Sequence, residues 1–275
     1  EGLFIYDTKN DSILDDLKFD PRNPLSISSS IFNSSQNENI LLSLYGGDST
    51  LWIGTTNGLN RYNLSNKSNK RFYNEESITS IPSNFIYDIF SKENQILVAT
   101  DGGLAIINKN DNSIRQIDFF KNSEVYDLFE VSGNLLIHSE KGIIMVKNLD
   151  ENKFEILYSD NLITVKKINN NEFVLWDKNS RVTRFFYYEN KFNSQLLNQD
   201  SDNVINDVSN FKGAYYLSTN NGIIKISEDL NNIISVYDKN EKILSVVEND
   251  FFRVLMTIDN ILIYEEEEVI LNFII

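Results

Sequence analysis

Apolar residues fall along this chain in short, strand-sized runs bounded by Asn, Asp, Gly and Lys, and one phrase keeps returning. It is an apolar run, a polar turn, then Gly followed by aliphatic residues. The phrase is clearest in Leu51-Trp52-Ile53-Gly54-Thr55-Thr56-Asn57-Gly58-Leu59 and Ile96-Leu97-Val98-Ala99-Thr100-Asp101-Gly102-Gly103-Leu104. Worn copies stand at Leu135 to Ile143 and Tyr215 to Ile223, weaker ones at Phe173 to Val182 and Val254 to Ile261, and Gly2 to Asp7 reads as a second half. Taking the Gly-aliphatic position as a marker gives 2, 58, 103, 142, about 181, 222 and about 260, a mean period of about 43 residues. Helical periodicity is hard to find. Around each marker the pattern predicts four short strands, in the clearest unit Phe85 to Phe90, Gln95 to Thr100, Gly103 to Asn108 and Ser113 to Phe119.

Four strands repeated at this period predict an all-β chain, a β-propeller of four-stranded antiparallel blades in which each blade buries both faces against its neighbours. Strands covered on both faces should be continuously apolar, as in Ile40-Leu41-Leu42-Ser43-Leu44-Tyr45 and Ile143-Ile144-Met145-Val146. The marker Gly suits a turn that needs positive φ. The expected organisation is one propeller over 1–275, with a half-blade at 1–20 and blades at about 40–80, 81–121, 122–160, 161–200, 201–239 and 240–275. Seven blades with an incomplete first one is the preferred count. A six-bladed ring that leaves the last segment outside is the alternative. The insertion from Asp20 to Asn39, with Pro21 and Pro24, should be an irregular loop on the face of the second-to-third-strand turns. The chain opens on Glu1 without a leader and closes on the apolar Val269 to Ile275, so it reads as a piece of a longer multi-domain protein.

Composition narrows the chemistry. With 25 Lys+Arg against 40 Asp+Glu the net charge is −15, which repels phosphate backbones and anionic lipid, so neither nucleic acid nor direct membrane contact is expected. No Cys and one His exclude disulfides, thiol nucleophiles, thiolate zinc and His-rich metal centres. No cofactor, metal or catalytic set is expected: no pair of carboxylates stands out, and Asp101-Gly102-Gly103 and the Glu265 to Glu268 run read as a turn and a solvated loop.

The phrase Leu51-Trp52-Ile53-Gly54-Thr55 with Gly58-Leu59-Asn60-Arg61-Tyr62-Asn63, preceded by Asp20-Pro21-Arg22-Asn23-Pro24-Leu25-Ser26, resembles the two-component regulator propeller repeat. Such repeats build the periplasmic sensor region of Bacteroides-type hybrid two-component systems, which join a histidine kinase to a response regulator. The resemblance implies an extracytoplasmic, non-enzymatic sensor of carbohydrate breakdown products. It implies further an inner-membrane parent, a small polar ligand such as an oligosaccharide, and a homodimer formed through the parent. Fold-level kinship is a weak warrant for the ligand. A protein-binding scaffold and a propeller-type polysaccharide lyase or glycosidase are the competing readings.

Candidate ligand contacts come from stacking the second strands. The column holding Gly54, Ala99 and Ser218 becomes His138, Trp176 and Met256 in the worn copies. An aromatic ring near a blade end stacks on a sugar face, and imidazole hydrogen-bonds a hydroxyl. The plainer reading is that these large residues fill gaps in the core. Asp177, Lys178, Arg181 and Arg184 surround the most irregular turn, where an Arg would bind carboxylate or sulfate. His138, Trp176, Asp177, Arg181 and Arg184 are therefore the candidate ligand-binding residues.

Overall fold

A computed structural model describes residues 3–29, 50–160, 163–198, 203–227, 233–237, 242–248, 253–265 and 268–274. Seven antiparallel sheets follow one another in chain order, and within each the strands pair in sequence order. The chain divides into two compact units, Glu1–Glu130 with Asn134–Asn161, and Val131–Gly133 with Leu162–Ile275.

The first unit holds four sheets. The first has two strands, Leu3–Asp7 and Ser12–Leu17. The second shows three, Thr50–Thr55, Gly58–Asn63 and Asn69–Phe72; the run Ile40 to Tyr45, read as its opening strand, lies outside the described residues. The third has four: Ile86–Lys92, Gln95–Thr100, Gly103–Asn108 and Ile114–Gln116. The fourth has Val125–Val131, Asn134–Ser139, Gly142–Asn148 and Lys153–Tyr158.

The second unit holds three four-stranded sheets. They are Ile163–Asn169, Glu172–Asp177, Val182–Tyr188 and Lys191–Asn198; then Ile205–Phe211, Ala214–Thr219, Gly222–Ile226 and Ile233–Tyr237; then Ile243–Glu248, Arg253–Thr257, Asn260–Glu265 and Glu268–Ile274. The apolar end of the chain thus completes the seventh sheet, and the six-bladed alternative that left it outside is corrected. Glu265 and Glu268 face each other across the last hairpin.

The continuous apolar runs are explained by burial on both faces. In the second strand of the third sheet, Ile96 and Val98 pack with Trp52, Leu59 and Phe72 of the second sheet. Their neighbours Leu97 and Ala99 pack the other way, with Val125, Leu128, Leu135 and Ile137 of the fourth. In the second unit Tyr215 and Leu217 join Val174 and Trp176 of the fifth sheet, while Tyr216 joins Ile243, Val246 and Leu255 of the seventh. A strand's side chains alternate between faces, so every position of such a strand has an apolar partner. Each fully buried side chain of this kind contributes about 1.5–3 kcal/mol, so sheet-on-sheet packing outweighs the hydrogen bonds at any one sheet edge.

The marker Gly opens the third strand with positive φ at Gly58, Gly103, Gly142 and Gly222. At Gly142 a Cβ would lie 1.9 Å from the Tyr158 carbonyl oxygen of the fourth strand, so no other residue fits. The same hairpins share a device that the Gly marker obscures. The hydroxyl of Thr55, Thr100 or Thr219 donates to the carbonyl of Gly58, Gly103 or Gly222 at 2.8–2.9 Å and accepts from the N–H two residues on. Ser139 and Thr257 stand in the same place.

The fourth strand of the third sheet is shorter than its pattern. It ends at Gln116, and Asp118–Phe120 form a 3₁₀ turn instead. The turn brings Phe119 and Phe120 onto Phe154 of the fourth sheet, with ring centroids 4.7 and 5.4 Å away. The described part of the 20–39 insertion is tied down at the expected turn. Ile27 is buried, Ser28 meets the Thr55 hydroxyl at 2.9 Å, and Arg71 donates to the Ser26 carbonyl at 2.8 Å. Gln116 does the same for the next sheet, donating to the carbonyls of Ser77 and Ser80.

Candidate functional site

Strand register puts the predicted column in place. Gly54 pairs with Leu59, Ala99 with Leu104, His138 with Ile143, Trp176 with Val182, Ser218 with Ile223 and Met256 with Ile261. All six are the penultimate residue of a second strand, next to the hairpin. At Gly54 the column is small because a Cβ would lie 2.7 Å from Ile86 of the next sheet.

Trp176 belongs to the second unit and is a core residue, 6% exposed, packed among Val174, Val182, Ile205, Val208 and Leu217. The strand beside it also differs from three of its counterparts. In the third, sixth and seventh sheets the first strand carries a bulge opposite this column, at Ile86/Asp88, Ile205/Asp207 and Ile243/Ser245. In the fifth sheet Ile163 and Thr164 pair in unbroken register with Asp177 and Trp176.

Asp177 takes the place that Thr holds in the other hairpins and carries a turn one residue longer. Its carboxylate accepts from the N–H groups of Asn179 at 2.9 Å and Arg181 at 3.0 Å, and pairs with the Arg181 guanidinium at 3.2 Å. Arg184 is held elsewhere. Its guanidinium is bound to Glu172, at 2.6 Å from Nε, and Glu172 also accepts from Tyr215 at 2.9 Å and Asn169 at 3.0 Å. Glu172 and Asp177 end the same strand five residues apart, about 16 Å in extended chain. Arg184 and the Asp177–Arg181 pair therefore sit toward opposite ends of the sheet and do not converge.

His138 lies in the first unit, and its surroundings differ. The ring is 8% exposed, and Nε2 is buried without a hydrogen-bond partner. Burial pushes its pKa down to about 4, so the imidazole is neutral at neutral pH. It begins a row of rings that crosses two sheets: His138 to Tyr126 at 5.0 Å, Tyr126 to Tyr87 at 5.7 Å and Tyr87 to Phe85 at 5.3 Å, the last two pairs edge-to-face. Three carboxylates crowd the tyrosine hydroxyls. Tyr87 donates to Glu124 at 3.4 Å, and the Glu124 N–H donates to Glu140 at 3.2 Å. Burial first, then Glu124, Asp101 and Glu140, push the Tyr87 hydroxyl up to about 12. Burial, Glu124 and Glu140 raise Tyr126 in the same way. Among the described residues no Lys or Arg ion-pairs with Asp101, Glu124 or Glu140.

Of these groups the sequence column supplies His138 alone. Phe85 and Glu124 immediately precede first strands whose second residues are Tyr87 and Tyr126, and only the shared i, i+2 spacing before Asp88 and Asp127 marks them. Beyond this row lies a second unusual pair. Asp88 is buried, and its carboxylate accepts from the N–H of Leu128 at 2.8 Å, as does Asp127 at 2.9 Å. Burial and the facing Asp127 hold Asp88 well above the usual carboxylate range, and burial raises Asp127 as well. No group of three or more metal-ligating side chains occurs among the described residues.

No protein-family model and no curated protein matches the chain. Solved structures do. The extracellular domain of BT3049 from B. thetaiotaomicron, assigned as a hybrid two component system, is similar across 100% of this chain and 43% of its own, with 17% identity and a TM-score of 0.50. The extracellular domain of BT4673 from the same organism, assigned as a one component system, is similar across 100% of this chain and 45% of its own, with 17% identity and a TM-score of 0.53. The β-propeller domain of Cps50 (Swd1) from Myceliophteria thermophila is similar across 93% of this chain and 86% of its own, with 11% identity and a TM-score of 0.55. At these identities the likeness establishes the fold. The chain is a β-propeller of antiparallel blades, and it spans less than half the length of the two B. thetaiotaomicron domains.

Proposed function

We propose that this propeller is the extracytoplasmic ligand-sensing part of a hybrid two-component regulator, held at the inner membrane by segments outside this chain, and that its signal is a carbohydrate breakdown product. The observation that carries the reading is that the extracellular domains of BT3049, assigned as a hybrid two component system, and of BT4673, assigned as a one component system, match the chain along its whole length. The repeat phrase at Leu51 to Asn63 supports the same kinship. Ligand binding changes the relation between domains or between the protomers of a homodimer, and that change reaches the kinase. The His138 row fits the ligand end of this scheme, because aromatic faces beside hydrogen-bond acceptors suit a small hydroxylated solute. Catalysis finds less support: the single His is buried and neutral, and its Nε2 has no acid to work with.

One observation favours the scaffold reading. Phe4, Tyr6, Ile13 and Leu14 of the two-stranded first sheet are each more than half exposed, an apolar surface suited to a protein partner. Calorimetry of the intact sensor region against a glycan panel, together with kinase output, separates the two. Saturable binding of an oligosaccharide that also alters output supports sensing. A silent panel with output indifferent to sugars removes the carbohydrate signal, and a protein captured through the first sheet favours the scaffold.

A further inference from the structure

The corner formed by Tyr87, Tyr126 and Glu124 beside His138 joins ring faces to a carboxylate. Tyr87 and Tyr126 meet edge to face at 70° with centroids 5.7 Å apart, so their ring planes stand as two steep walls of a corner in which a cation meets π-electron density. Glu124 lies against the Tyr87 hydroxyl, Glu140 against the Glu124 backbone, and no Lys or Arg among the described residues neutralises either carboxylate. The nearest lysine of the hairpin, Lys141, is turned onto the Phe119 ring at 5.5 Å. The second, independent sign is His138. A buried imidazole nitrogen with no partner carries a desolvation penalty that a ligand donor would relieve. In the Nδ1–H tautomer of the neutral ring, Nε2 offers a lone pair.

We infer that this corner recognises a primary ammonium group, carried on a small hydroxylated molecule of the amino-sugar class, with Tyr87 and Tyr126 supplying π faces, Glu124 the counter-charge and His138 an acceptor. The inference deepens the sensing reading and rests on it. Carboxylates, aromatic faces and imidazole all favour a donor-rich cation, and each disfavours the acidic sugars that the Arg residues of the fifth sheet would have selected.

The single histidine gives the test a specific reporter, since its imidazole resonances cannot be confused with any other. The intact chain is titrated with glucosamine, N-acetylglucosamine and glucose. N-acetylation keeps the ring and removes the charge. The expected result is a saturable shift of the His138 resonances by glucosamine, with affinity roughly tenfold weaker for N-acetylglucosamine and for glucose. Glu124→Gln should weaken glucosamine binding by a similar factor, and Tyr126→Phe, which keeps the ring face, should bind nearly as well as the parent. Unchanged thermal unfolding of both variants verifies the fold. Equal response to all three sugars, or a His138 that glucosamine leaves unmoved, overturns the ammonium assignment. If uncharged oligosaccharides still bind elsewhere and alter kinase output, only this assignment fails. If glucosamine moves His138 while no glycan alters output, the sensing reading fails and this site stands.

Discussion

His138 and Trp176 hold the same register position in two sheets, and the structure treats them in opposite ways. Trp176 packs among apolar residues of its own sheet and of the sixth. His138 is buried to a similar depth but keeps an unpartnered nitrogen beneath a row of tyrosines and uncompensated carboxylates. Bulk in a column of small residues is therefore no sign of a site. What separates the two is unmet hydrogen-bonding and charge, and five changes sharpen or break that contrast.

Trp176→Ala should have the largest effect, a loss of about 3–5 kcal/mol read by denaturant unfolding, because it empties a packed space between two sheets. A loss below 1 kcal/mol would mean that Trp176 is not core. Next comes acid sensitivity. The folded-state pKa of His138 lies near 4 and the unfolded value near 6.5, so the unfolded chain binds the extra proton. The stability from the neutral ring is complete above pH 6.5 and is lost as pH falls to 4, roughly 3 kcal/mol in all. The difference between the parent and His138→Phe across that window isolates this contribution, and a flat difference would contradict the burial.

Arg184→Ala should cost about 2–3 kcal/mol, since it leaves Glu172 buried with only Tyr215 and Asn169 as partners. An unchanged stability with lost ligand binding would return Arg184 to the list of ligand contacts. The smallest effect is expected at Asp127→Asn. Asp88 is raised in the folded state, so the folded chain binds the extra proton, and stability falls as pH rises from about 4 through that raised value. Removing the facing charge should recover about 1 kcal/mol at pH 8 and nothing at pH 4. The second unit solves the same packing problem differently: there Asp207 is matched by Lys166 at 2.6 Å and by the Ser245 hydroxyl at 2.6 Å. The equivalent Asp207→Asn should therefore destabilise at neutral pH.

Much of this was legible in the chain. The Gly markers at 58, 103, 142 and 222 all open third strands with positive φ, and the column from Gly54 to Met256 lines up as the repeat requires. Both follow from local rules, strand alternation and the conformational freedom of Gly. The ring row was not legible, because it joins first strands of neighbouring sheets about 39 residues apart, with a bulge deciding where Tyr87 sits. Arg181 and Arg184, close in the sequence, are held apart for a related reason. Arg181 closes the turn on Asp177 while Arg184 lies three residues on, inside the strand Val182–Tyr188, bound to Glu172, so nearness in sequence did not give the two a common partner. Asp177 drew notice as an acid, yet it performs the turn-closing task that Thr performs elsewhere.

The most direct test of the contrast follows His138 and the Trp176 indole N–H together by NMR while the whole sensor region is titrated with oligosaccharide fragments. Only one other tryptophan, Trp52, has to be told apart. The account predicts that a bound ligand moves the His138 resonances and leaves Trp176 where it was. A Trp176 that responds while His138 stays silent would contradict it.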